Sequence, residues 1–192
     1  MSNNILLMSD EMIKERTSIH GNIDAKLIYP DIKVAQDMYI LPVLGTALYN
    51  KLQTAVNAND WTNLTNYKNL LDIYVLDTLM YYVLAELPMT MGYQFWNKGI
   101  VRKLGDNTDL PSMSELVDIS NRYKDRGQWY ANRMRLYIIA NAAAMFPEYL
   151  QPGNNIDTII PEQKGFSMPI YLGDGHNSYC NPGGFTSKPY TE

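Results

Sequence analysis

Cysteine and histidine are nearly missing from this chain: its 192 residues include one Cys, Cys180, and two His, His20 and His176. A lone cysteine rules out an intramolecular disulfide, so the fold has to stand without that covalent support. Nucleophilic catalysis of the Ser-His-Asp or Cys-His kind needs an imidazole beside the nucleophile, and neither histidine has suitable neighbours in sequence. His20 precedes Gly21 at an expected helix end and suits a turn or a dipole contact. Asp174, His176 and Cys180 supply at most three of the four ligands that a structural zinc site requires. No Gly-rich phosphate loop of the Walker or dinucleotide type occurs. The expectation is a protein with no enzymatic activity, no metal and no cofactor.

Long apolar runs are missing too. The longest, Ile73 to Ala85, is interrupted by Asp77 and falls short of the roughly 20 residues that span a bilayer. Met1-Ser2-Asn3-Asn4 offers neither a basic segment nor a small-residue cleavage site, so neither a membrane span nor a signal peptide is expected. A net charge of −4 does not suit a protein whose main task is to grip phosphate.

What the chain has is helical patterning. Ser9 before Asp10-Glu11-Met12-Ile13 reads as a capped short helix, and a second starts near Asp24 and stops before Pro30. Pro30 opens the next, to Ile40; Pro42 and Gly45 break it, and Thr46 caps one through Leu48, Leu52 and Val56. From about Thr62 to Leu87 the spacing of Leu64, Tyr67, Leu71, Tyr74 and Thr78 predicts the central helix, apolar all round in its second half and ended by Pro88. A shorter amphipathic segment with Tyr93, Phe95, Trp96 and Ile100 and a polar loop from Gly105 to Pro111 follow. Ser112-Met113-Ser114-Glu115 matches a capping box and opens the longest helix, to Phe146 before Pro147. Its packing stripe reads Leu116, Ile119, Tyr123, Gly127, Tyr130, Met134, Tyr137, Asn141 and Ala144, with Gly127 at a kink or a close crossing. No strand-period segment lies in this body. The fold class is all-α: a helical body over residues 1–150 with a long last helix, and an extended arm over 151–192.

The arm holds five Pro and six Gly in 42 residues, yet keeps apolar anchors at close intervals: Ile159, Phe166, Met168, Ile170, Leu172 and Phe185. A purely polar linker could not bury enough surface to offset the entropy of ordering it. This arm therefore either binds another chain or folds back on its own domain. Phe166 to Leu172 alternates weakly enough to form a strand, with Gly173-Asp174-Gly175 as turn material, and Pro169 confines such a strand to a sheet edge.

The long helix carries Arg122, Arg126 and Arg133 with Trp129 on one flank, and Lys124 and Arg135 on the other. Three readings stand for the first flank: a solvated edge, a subunit interface in which these arginines meet acids on a neighbouring copy, or contact with nucleic acid. The last would make the protein a helical DNA-binding or regulatory factor.

The stretch Tyr29-Pro30-Asp31-Ile32-Lys33-Val34-Ala35-Gln36-Asp37-Met38-Tyr39-Ile40-Leu41-Pro42-Val43-Leu44-Gly45-Thr46-Ala47-Leu48-Tyr49 resembles the N-terminal region of head-to-tail connector proteins of tailed bacteriophages, nearest to the ring proteins of crAss-like phages. The order of elements extends the likeness to about residue 150. The resemblance implies a structural virion protein: a neck adaptor that forms a homo-oligomeric ring, usually of twelve copies, below the portal. It would dock on the portal through its C-terminal extension, meet further neck or tail proteins, and surround passing genomic DNA without reading its sequence. It would be made in the host bacterial cytoplasm. The 15 tyrosines suit such use, since each offers a large contact area with a polar tip.

Overall fold

A computed structural model describes residues 5–96, 99–102, 111–153 and 158–161. The body is helical, as its patterning predicts. Helix α1 is Asp10–Arg16, its first turn capped by the Ser9 hydroxyl, which accepts from the Met12 N–H at 3.2 Å. Asp24 caps α2, Ala25–Ala35. Between them His20 serves a turn, its Nδ1 accepting from the Asn22 N–H.

The prolines act differently from expectation. Pro30 lies inside α2 rather than between two helices, so only the bond its missing N–H would have made to the preceding turn is lost. The helix widens into a π-helical stretch, Gln36–Ile40, and continues through Pro42 as α3, Leu41–Leu44; Gly45 alone ends it. Helix α4 is Thr46–Ala58. Helix α5, Thr65–Leu70, leads through a second π-helical stretch, Leu71–Val75, into α6, Leu76–Gly92, which runs past Pro88. The segment after it forms an antiparallel hairpin, β1 Tyr93–Trp96 with β2 Gly99–Arg102, pairing Tyr93 with Arg102 and Trp96 with Gly99. This is a small exception to an otherwise helical body. Helix α7, Met113–Met145, starts with the predicted capping box, Ser112 and Glu115 each bonding the other's backbone N–H. Helix α8, Pro147–Leu150, follows.

Helix α6 is the centre. It packs on α2 on one side and most extensively on α7 on the other, burying Leu76, Leu79, Tyr82, Val83 and Leu87. The α6–α7 pairing is antiparallel: Tyr74 stacks on Tyr137 at 4.2 Å, Tyr81 on Tyr130 at 4.9 Å, and Ser120 donates to the Ala85 carbonyl at 2.7 Å. Gly127 marks a close crossing, not a kink. A Cβ there would lie 2.9 Å from Tyr82 Cε1, and the Tyr82 ring is stacked on Tyr39 at 4.1 Å. The buried seam of α7 is Leu116, Gly127, Ala131, Met134, Arg135, Ile138 and Ala142. It is thus turned from the predicted stripe: Ile119 and Ala144 are exposed.

The N-terminal segment is fastened by a buried side chain. Gln36 accepts from the Leu7 N–H at 2.8 Å, donates to the Ile5 carbonyl at 3.0 Å and to the Tyr49 hydroxyl at 2.5 Å. A buried amide so fully bonded costs little and fixes the register of the chain on it.

Filling the crossing tests this packing. Gly127→Ala should overpack the Tyr82 ring at a cost of about 1–3 kcal/mol, against roughly 1 kcal/mol gained in helix propensity. Because Tyr82 is itself wedged against Tyr39, the cost should win and the melting temperature should fall by several degrees. A variant that melts at or above the wild type would mean the ring has room to slide.

Candidate protein–protein interface and buried polar clusters

The predicted interface residues come together on the outward face of α7. Arg122, Arg126, Trp129 and Arg133 are all exposed, and Trp129 is 62% exposed with its ring edge-on to Tyr130 at 4.9 Å. The face continues beyond them. Leu136, 69% exposed, then Ala140 and Ala143 extend the same line at spacings of three and four. The sequence carried that signal, since counting on from Arg122 by four and three reaches each of them. Two arginines also rest on tyrosines of their own body: the Arg133 guanidinium lies 4.9 Å from the centre of the Tyr74 ring, and that of Arg126 lies 5.6 Å from Tyr123. Such contacts hold the guanidinium plane while leaving its edge to a partner.

Arg135 does not project from the opposite flank. It is buried in the seam, donates to Asn132 Oδ1 at 2.8 Å, and its charge acts on the buried Tyr149. Lys124 is exposed and lies 5.5 Å from the centre of the Tyr39 ring. A second exposed apolar patch lies on another helix, where Val34 and Met38 follow Tyr29 and Pro30; Met38 is 60% exposed.

Of the predicted arm anchors only Ile159 lies within the described residues, and its backbone is tied to Thr46 of its own body. Phe166, Met168, Ile170, Leu172 and Phe185 lie outside the described residues, as do His176, Cys180 and the expected strand. Thr46 does not cap α4 with its hydroxyl. Gly45 occupies the N-cap position, and the Thr46 Oγ1 accepts from Ile159 instead.

Two polar clusters that sequence reasoning missed join distant parts of the chain. Lys51 donates to the Tyr67 hydroxyl at 3.0 Å and pairs with Glu148, and Tyr67 donates to the other Glu148 oxygen at 2.7 Å. This clasps α8 against α4 and α5. Burial works against both charges, but their mutual hydrogen bonds and those to Tyr67 outweigh it, holding Lys51 above its ordinary pKa and Glu148 below.

The second cluster lies between α6 and the continuous helix of α2 and the π-helical stretch after it. Tyr39 donates to Glu86 at 2.7 Å, and burial followed by this bond holds its phenol well above the ordinary tyrosine range. Asp31 is buried, its Oδ1 accepts from Thr90 at 2.9 Å, and its Oδ2 has no hydrogen-bond partner among the described residues. Burial pushes the Asp31 carboxyl up; the Thr90 bond opposes this and the Glu86 carboxylate adds to it. Among the described residues no group of three His, Cys, Asp or Glu is placed to hold a metal ion, and no helix is long and apolar enough to cross a membrane.

The profile of a family of unknown function, DUF6712, matches residues 40–159, and the chain belongs to that family. No curated protein and no solved structure matches it.

Asp31 gives a pH-dependent test. With its folded pKa raised, the ionised form weakens the native state above that pKa, and stability returns as the pH falls through it. Asp31→Asn should therefore melt higher than the wild type at pH 7, the gap narrowing toward pH 4. Thermal melts across that range check it, and a variant less stable at neutral pH would contradict it.

Proposed function

We propose that this DUF6712 protein is a structural, non-enzymatic adaptor that assembles head-to-tail into a ring. The observation that carries the reading is the pair of unlike exposed faces. One is the arginine and tryptophan line of α7 with its Leu136–Ala143 continuation; the other is the Val34–Met38 patch on α2 and the π-helical stretch after it. A two-fold dimer needs one self-complementary face, whereas a ring needs two different ones. Trp and Arg at the centre of such a face are the residues that most often dominate binding energy.

The setting of that ring follows from the resemblance of residues 29–49 to phage head-to-tail connectors. By that likeness it is a neck of twelve copies, placed below the portal and around the DNA channel of a virion assembled in the bacterial cytoplasm. The arm anchors Phe166, Met168, Ile170, Leu172 and Phe185 would reach the portal or a further neck protein.

Three arginines on one helix face also favour a second reading, a helical DNA-binding protein. Asp118 and Asp125 are exposed on the same helix, Arg126 and Arg133 already lie over tyrosines, and the net charge is −4, so phosphate gains less here than a protein partner does.

Light scattering on the full-length protein, alone and with the portal of the same virus, separates the readings. The expected result is a ring, or a portal-bound assembly, that Trp129→Ala weakens and Leu136→Asp abolishes while helical circular dichroism is kept. A monomer indifferent to the portal, with salt-sensitive DNA binding lost in Arg122→Ala and Arg126→Ala, would overturn the adaptor and establish the second reading.

A further inference from the structure

Beyond α8 the chain comes back to the corner between α3 and α4. The Thr46 N–H donates to the Ile159 carbonyl at 3.0 Å, and the Ile159 N–H donates to Thr46 Oγ1 at 2.8 Å. Thr46 N–H is one of the first-turn donors that a helix cannot satisfy internally. The returning chain supplies the missing acceptor.

Gly45 contributes as well. Its φ is +75°, which favours glycine, and a Cβ on it would lie 2.6 Å from Pro161 Cγ and 2.7 Å from Cδ. The proline ring therefore occupies the space that a side chain would take. Pro161 is buried, whereas Ile160 beside it is 69% exposed. Apolar burial alone would turn the larger aliphatic side chain inward. The shape of the corner selects the proline instead, and a proline carries no N–H to be left unsatisfied against an apolar wall. The family match, residues 40–159, takes in Gly45, Thr46 and Ile159.

We propose that Gly45 and Thr46 form a seat for an extended isoleucine–proline segment, and that Ile159–Pro161, seated there, is a strap that fixes where the chain after Pro161 leaves the body. The seat has three parts: a backbone donor, a hydroxyl acceptor, and a notch without a Cβ. The inference is independent of the adaptor reading, since it concerns only how the chain is held to itself.

Hydrogen–deuterium exchange on the full-length protein tests it, comparing the wild type with Pro161→Gly, Thr46→Val and Thr46→Ser. In the wild type the Thr46 and Ile159 amides should be protected. Thr46→Val removes the hydroxyl acceptor and Pro161→Gly empties the notch; each should speed exchange at Ile159 at least tenfold while the amides of α6 and α7 stay unchanged. Thr46→Ser keeps the hydroxyl and should behave as the wild type. Exchange at Ile159 as fast as in unstructured chain in the wild type, or protection unaltered in both Thr46→Val and Pro161→Gly, would overturn the strap. If Pro161→Gly loses its helical signal, the Thr46 pair alone decides the matter.

Discussion

The contact on which the body depends is the ring of Tyr82 against the bare backbone of α7 at Gly127. Removing the Cβ lets α7 approach α6 closely along their length, and that approach puts the remaining pairs in reach: Tyr74 on Tyr137, Tyr81 on Tyr130, Ser120 on the Ala85 carbonyl. Tyr82 is in turn backed by Tyr39 from the π-helical stretch, so one stack of rings sets the spacing of three successive layers. Dispersion in such a stack is weak per atom pair and large in sum, and it is lost quickly when a gap opens. Six of the 15 tyrosines, Tyr39, Tyr74, Tyr81, Tyr82, Tyr130 and Tyr137, pair in these stacks.

Much of this was legible from local chemistry. Ser9, Asp24 and Ser112 cap the helices they precede, because a side-chain oxygen near an unpaired N–H needs nothing from the rest of the fold. The central helix and the long last helix were legible from period and length. The prolines misled, since a local rule ends a helix at Pro30, Pro42 and Pro88, while packing of Ile28, Ile32, Ile40 and Leu87 in the core keeps the helix going at the loss of single hydrogen bonds. The hairpin at 93–102 was missed because four-residue strands carry almost no period.

The candidate interface was half legible. Arg122, Arg126, Trp129 and Arg133 stand on one exposed face, as their spacing indicates, but the count of the packing stripe was turned by a fraction of a helical turn. That small rotation put Arg135 on the wrong side and hid the Leu136–Ala143 extension. Helical spacing fixes which residues share a face; which face turns inward depends on Ala131, Ile138 and Ala142, whose partners on other helices are remote in sequence. Buried Asp31 and the Lys51–Tyr67–Glu148 clasp were not legible at all, for the same reason.

Helix α4 links these features. Lys51 holds α8 through Glu148, and Thr46, little more than a turn earlier on the same helix, holds Ile159. The chain leaving the long helix is therefore fastened to α4 before Pro161 and before any residue of the apolar arm that follows. The outward line of α7 makes no use of either fastening: Arg122, Arg126, Trp129, Arg133 and Leu136 take no part in the Thr46–Ile159 or the Lys51–Tyr67–Glu148 contacts.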